Sequence, residues 1–142
     1  MKKSLTLIII LCLISIIQHI SAQDVRHLTT EDFKKEIWDY TANKEWKYRG
    51  NKPAIVDLYA SWCPPCKYLA PVLEEIQKEY GKKIRIYKVN VDKSREVAQL
   101  FKANSIPMMI FIPVNGKPFA VLGFRPQEQI EQIISEKLNI KK

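Results

Sequence analysis

The cysteine pair in Trp62-Cys63-Pro64-Pro65-Cys66-Lys67 restricts what this chain can be more than any other feature. An apolar run, Ala54 to Ala60, leads into it, and a stretch of helical periodicity leads out. A strand that delivers a Cys-x-x-Cys pair to a helix start places it among unpaired N–H groups, at the positive end of the helix dipole. Both favour an anion, so a Cys63 thiolate is stabilised and its pKa is expected below the free value of about 8.5. Residues three apart hold their Cβ atoms roughly 5–6 Å from one another in an ideal helix. A disulfide needs about 3.5–4.5 Å, so a small local adjustment closes the ring. Such a bond can be made and broken without unfolding the chain, which is the behaviour of a redox switch.

The rest of the cysteine and charge pattern separates a switch from a structural staple. Residues 1–22 read as a signal peptide, with Lys2 and Lys3 before an apolar centre from Leu5 to Ile17 and Ile20-Ser21-Ala22 as a cleavage site. The apolar run is short beside the about 20 residues of a membrane span, and Gln18 and His19 interrupt it; an uncleaved anchor is the alternative. Leu11 rather than a small residue precedes Cys12, which argues against a lipoprotein site. Removing the signal takes Cys12 and leaves Cys63 and Cys66 as the only cysteines. An exported chain with one close pair is not using it as a disulfide framework. His27 is then the only histidine, too few for a four-ligand zinc site. The formal net charge of +8 falls to +6 without Lys2 and Lys3, which suits a solvated surface; an exported protein is not expected to meet nucleic acid. The 142 residues allow one domain with a real core, and no repeat or Gly/Ser linker divides residues 23–142.

Periodicity orders the elements. Asp24 to Leu28 suits a short edge strand. Thr29 or Thr30 caps a helix, with Asp32 three residues after Thr29 and Phe33, Ile37 and Tyr40 on its apolar face. Residues 41–53 form a polar connection containing Trp46, Tyr48 and Gly50-Asn51. Residues 54–60 read as a central strand, apolar on both faces except at Asp57. The helix after the cysteines aligns Leu69, Val72, Leu73, Ile76 and Tyr80, contains Pro71 as an expected kink, and stops at Gly81. A strand over Ile84 to Val91 and a short helix carrying Val97, Leu100 and Phe101 follow. Met108 to Ile112 and Pro118 to Gly123 pair as strands around Asn115-Gly116. A last helix opens at Pro126 and buries Ile130, Ile133, Ile134 and Leu138. The order β-α-β-α-β-α-β-β-α predicts an α/β fold, a central mixed β-sheet with helices on both faces.

Asp57, six residues before Cys63, is an ionisable group in that otherwise apolar strand. Burial raises a carboxyl pKa, which would let it accept a proton from Cys66 near neutral pH, directly or through water. A hydrogen-bonded structural residue is the alternative.

From about His27 to Leu138 the chain resembles the thioredoxin family. Val56-Asp57-Leu58-Tyr59-Ala60-Ser61-Trp62-Cys63-Pro64-Pro65-Cys66-Lys67 is similar to its active-site signature, and Ser105-Ile106-Pro107 to its cis-proline loop. Asn115-Gly116 and Gly123 match its hairpin and the glycine beyond it, and the 41 residues from Cys66 to Pro107 match plain thioredoxins. The resemblance implies the thioredoxin fold and a protein-disulfide reductase working through a redox-active Cys63–Cys66 disulfide. It implies Cys63 as exposed nucleophile, Cys66 as shielded resolving thiol, Asp57 as proton acceptor and Lys88 as its modulator. It further implies that Trp62, Ile106, Pro107 and Gly123 form an apolar substrate rim. Ile106–Pro107 is expected cis, an isomer only proline adopts cheaply, and Pro107 keeps metal from the thiols.

No cofactor and no metal are expected. The expected partners are protein disulfides, with a membrane thiol reductase as electron donor; the protein would be a periplasmic monomer, at the membrane only if the signal stays attached. The rivals are an oxidase or isomerase that donates disulfides, and a redox-inert peptide-binding module or holdase, which would not need Cys63, Cys66, Asp57 and Pro107 together. Three departures from the family stand out. Pro64 replaces a glycine, Tyr59 replaces a tryptophan, and the 41–53 connection is longer.

Overall fold

The computed structural model describes residues 24–142; the expected signal at residues 1–22 lies outside them. Five strands, β1 (Arg26–His27), β2 (Ala54–Tyr59), β3 (Arg85–Asn90), β4 (Met108–Ile112) and β5 (Phe119–Leu122), form one sheet in the order β1-β3-β2-β4-β5. β1, β3 and β2 run parallel, and β4 and β5 are antiparallel to their neighbours. The helices are α1 (Thr30–Glu36), α2 (Pro64–Tyr80), α3 (Arg95–Leu100) and α4 (Gln127–Leu138). The sheet is mixed, as the element order predicts.

Each central strand feeds two cores, because successive side chains point to opposite faces. Val56, Leu58, Ile110 and Ile112 join Phe33 of α1 and Val97 of α3 on one side. Ile55, Met109 and Phe111 join Leu69, Leu73 and Ile76 of α2 and Ile130 and Ile134 of α4 on the other. Asp57 has the parity of Ile55, so it faces the layer that contains α2, the helix that begins at the cysteines.

Thr29 is the cap of α1, with a reciprocal pair of bonds between Thr29 and Asp32. The helix is shorter than its apolar pattern suggests. Ile37 is already its C-cap, and Tyr40 reaches the same core from a turn, donating to Glu96 at 2.7 Å. Pro71 sits inside α2, yet the helix continues to Tyr80. A six-residue loop, 113–118, joins β4 to β5 in place of a two-residue turn, with Gly116 at φ +109°. Ile133 and Val72 are half-buried at the margin of the second core.

The long connection folds back on the first core. Trp46 packs against Trp38 at 5.2 Å, stacks on Tyr48 at 6.4 Å and meets Phe101 edge-on at 6.4 Å. Trp38 Nε1 donates to the carbonyls of Asn43 and Glu45, whereas Trp46 Nε1 is buried without a partner.

Candidate active site

The site is built where β2 ends and α2 begins. Cys63 is the N-cap of α2, and its Sγ accepts the backbone N–H of Cys66 at 3.3 Å. Pro64 and Pro65 fill the first helical positions, where a missing N–H costs no helical bond. The sulfurs of Cys63 and Cys66 are bonded, with Cα atoms 5.3 Å apart. Both residues are only 2% exposed, packed with Ala60 and against Tyr59, Val91 and Ile106. Exposure therefore does not separate the two in the bonded form, contrary to the expectation of an open Cys63 above a shielded Cys66. What separates them is the cap: Cys63 precedes the helix, and Cys66 lies inside its first turn.

Asp57 is fully buried, and neither carboxylate oxygen has a hydrogen-bond partner. An ionised carboxylate so placed is costly, and burial pushes its pKa up to about 7, with the Lys88 charge pulling partly the other way. Lys88 stands opposite Asp57 in the parallel β2–β3 register and is itself 9% exposed. Its ammonium does not pair with the carboxylate; it lies 4.6 Å from the centre of the Tyr59 ring.

Trp62 is 66% exposed, and its indole N–H donates to Asp92 Oδ2 at 2.9 Å. Asp92 follows β3, and nothing in its local pattern marks it; only the pairing of β2 with β3 brings it to the tryptophan. The Ile106–Pro107 bond is cis. Pro107 is buried, and its carbonyl accepts the N–H of Gly123 at 2.8 Å. Gly123 has φ +79°, a conformation that L side chains rarely adopt. Ile106 packs beside the cysteines. The structure also exposes Tyr68 on α2, and Leu122 and Phe124 on either side of Gly123, all large apolar residues that periodicity alone assigned no role.

Comparison with known proteins gives one answer. The thioredoxin family profile matches residues 24–136. A thioredoxin of Borreliella burgdorferi is 44% identical over 109 residues, 77% of this chain and 93% of that protein. A thioredoxin of Alicyclobacillus acidocaldarius is 38% identical over 98 residues, 68% of this chain and 92% of its own length. Among solved structures, chloroplastic thioredoxin z superposes with a TM-score of 0.68 at 24% identity, covering 80% of this chain and 93% of that one, a likeness of fold. With its bonded Cys63–Cys66 pair at the start of α2, the chain belongs to the thioredoxin family and is a thiol–disulfide oxidoreductase.

Proposed function

We propose that the protein is exported to the periplasm and there reduces disulfide bonds in other proteins. The observation that carries this reading is the bonded pair at the cap of α2, with an unpartnered Asp57 carboxyl buried on the face that α2 covers. The Cys63 thiolate attacks one sulfur of a substrate disulfide. A Cys63–substrate bond forms as the substrate's own S–S bond breaks, and the released sulfur takes a proton from water. The Asp57 carboxylate then removes the thiol proton of Cys66, directly or through water. The resulting thiolate attacks Cys63 Sγ, the intramolecular disulfide forms, and the second substrate sulfur leaves and is protonated. Two electrons have passed from the dithiol to the substrate.

Trp62, Ile106, Pro107 and Gly123 frame the approach, and the backbone beside Pro107 offers hydrogen bonds to an extended substrate segment. Lys88 modulates the proton step. In an oxidising compartment the dithiol must be restored by a donor, for which a membrane thiol reductase is the fitting class. The charged and apolar pattern of residues 1–22 supports export.

Insulin reduction with dithiothreitol as donor tests the activity. The protein lacking residues 1–22 should accelerate it and Cys63→Ser should not; no acceleration by the unsubstituted protein overturns the reductase reading. Fractionation of cells producing the full chain tests the location. A processed periplasmic form supports export, and an unprocessed cytoplasmic one overturns it.

A further inference from the structure

Tyr59 departs from the family pattern, and its surroundings are specific. Its ring lies under the Lys88 ammonium, 4.6 Å from the centroid, a distance at which a cation is attracted to an aromatic face. Its hydroxyl lies 3.2 Å from His27 Nδ1, with the two rings close to perpendicular at 76°. His27 and Asp57 flank Lys88 in the strand registers, one in β1 and one in β2. Lys88 could therefore turn toward either neighbour, yet the Asp57 oxygens are left without any partner. Tyr59, Lys88 and His27 also line a cavity of about 390 Å³.

We infer that Tyr59 is a positioning residue, whose ring holds the Lys88 ammonium off the Asp57 carboxyl. The inference rests on the reading of Asp57 as proton acceptor for its catalytic meaning, but not for its geometry. An ammonium brought to ion-pair distance would lower the carboxyl pKa by about 1–3 units. Asp57 would then be a weaker base toward Cys66. Parked on the ring, Lys88 still screens the buried charge without neutralising the base. The other charged groups around Lys88 and His27 are Glu31 of α1 and Lys93, which line the same cavity. Asp24 and the α2 residues Glu74 and Lys78 line a second cavity, which Lys88 and His27 also border.

The test follows the Asp57 carboxyl by carbon-13 NMR titration in reduced protein, alongside the pH profile of insulin reduction. Tyr59→Phe and Tyr59→Trp retain an aromatic face and should leave the Asp57 midpoint within a few tenths of a pH unit. Tyr59→Leu should lower it by about 1 unit or more, and Tyr59→Gln gives the same readout should Tyr59→Leu not fold. In a Lys88→Met background the same Tyr59 changes should shift nothing. An unmoved midpoint in Tyr59→Leu, or an equal shift with and without Lys88, overturns the positioning role. A midpoint that moves while the pH–rate profile stays fixed upholds that role and overturns Asp57 as the proton acceptor.

Discussion

At the residue scale, position on the helix rather than exposure distinguishes the two sulfurs. Cys63 sits at the cap, where the Cys66 N–H and the helix start can hold a thiolate. In the reduced protein, Cys66→Ser should therefore accumulate mixed disulfides with substrates, resolved on non-reducing gels, and Cys63→Ser should accumulate none. Equal accumulation by both variants would reverse or cancel the assignment. Asp57 leaves a second signature, in stability. Its carboxyl titrates near 3.8 without the fold and near 7 within it, so the unfolded chain gives up the proton more readily. Stability from this group is whole below pH about 4, declines as the pH rises, and levels off above pH about 7. A raised pKa of this size corresponds to an upper figure of about 4 kcal/mol across that window. Asp57→Asn should flatten this part of the stability curve in urea titrations of the oxidised protein, and slow turnover near neutral pH. A variant whose curve keeps the same slope would show that another group is responsible.

At the element scale, α2 is tied to the sheet at both ends. The cysteines fix its start, and buried Gln77 fixes its last turns. β1 pairs with β3 only at Tyr87 and Lys88, and the N–H of Ile86, one residue earlier, goes to Gln77 Oε1 at 2.7 Å. The Gln77 amide also donates to the carbonyls of Gly81 and Ile84. Gln77→Ala should cost about 1–3 kcal/mol in urea unfolding, the penalty for a buried N–H left unpaired, with insulin reduction per folded molecule unchanged. A loss below about 0.5 kcal/mol would mean that water or a local shift replaces the amide. Elements of this kind show where the sequence was legible. β4 throughout, and β2 apart from Asp57, are apolar, and the two-sided packing that such runs imply is what the structure has. The capping residues of α1 and Gly81 after α2 also mark real boundaries. Gln77 was not legible, because a polar residue on an otherwise apolar helix stripe looks the same whether it faces water or a strand edge. Asp92 and the Tyr59–His27–Lys88 cluster were hidden for a related reason: each depends on which strands are neighbours, and local periodicity does not carry that. Tyr40 misled, since its spacing fits a helical face although the chain has already turned out of α1.

At the scale of the whole molecule, the proposed direction of electron flow, from the dithiol to the substrate, implies a reducing potential. A strong thiol oxidant has a potential near −120 mV, whereas thioredoxin lies near −270 mV, and about 30 mV corresponds to 1.4 kcal/mol. The oxidising end is reached by stabilising the reduced thiolate far beyond what a helix start provides. Here the two residues between the cysteines are prolines, which bring neither an N–H nor a charge. The hydrogen-bond donor to Cys63 Sγ is the backbone N–H of Cys66, at 3.3 Å. No histidine stands in the motif, and the Lys88 ammonium is held on the Tyr59 ring. Cys63 should accordingly titrate nearer about 7 than about 3.5. The potential should fall on the reducing side of about −200 mV, below the about −180 mV of a disulfide isomerase. Equilibration against graded glutathione and dithiothreitol buffers, with the thiols alkylated and counted by mass, measures it. Half-oxidation near −120 mV would reverse the proposed direction, making the protein a donor of disulfides to exported chains. Half-oxidation near −270 mV would require electrons to be supplied from outside the oxidising compartment. Loss of a membrane thiol reductase in the producing cell should then leave Cys63 and Cys66 bonded at steady state, whereas a protein that oxidises its partners would stay bonded with or without that reductase.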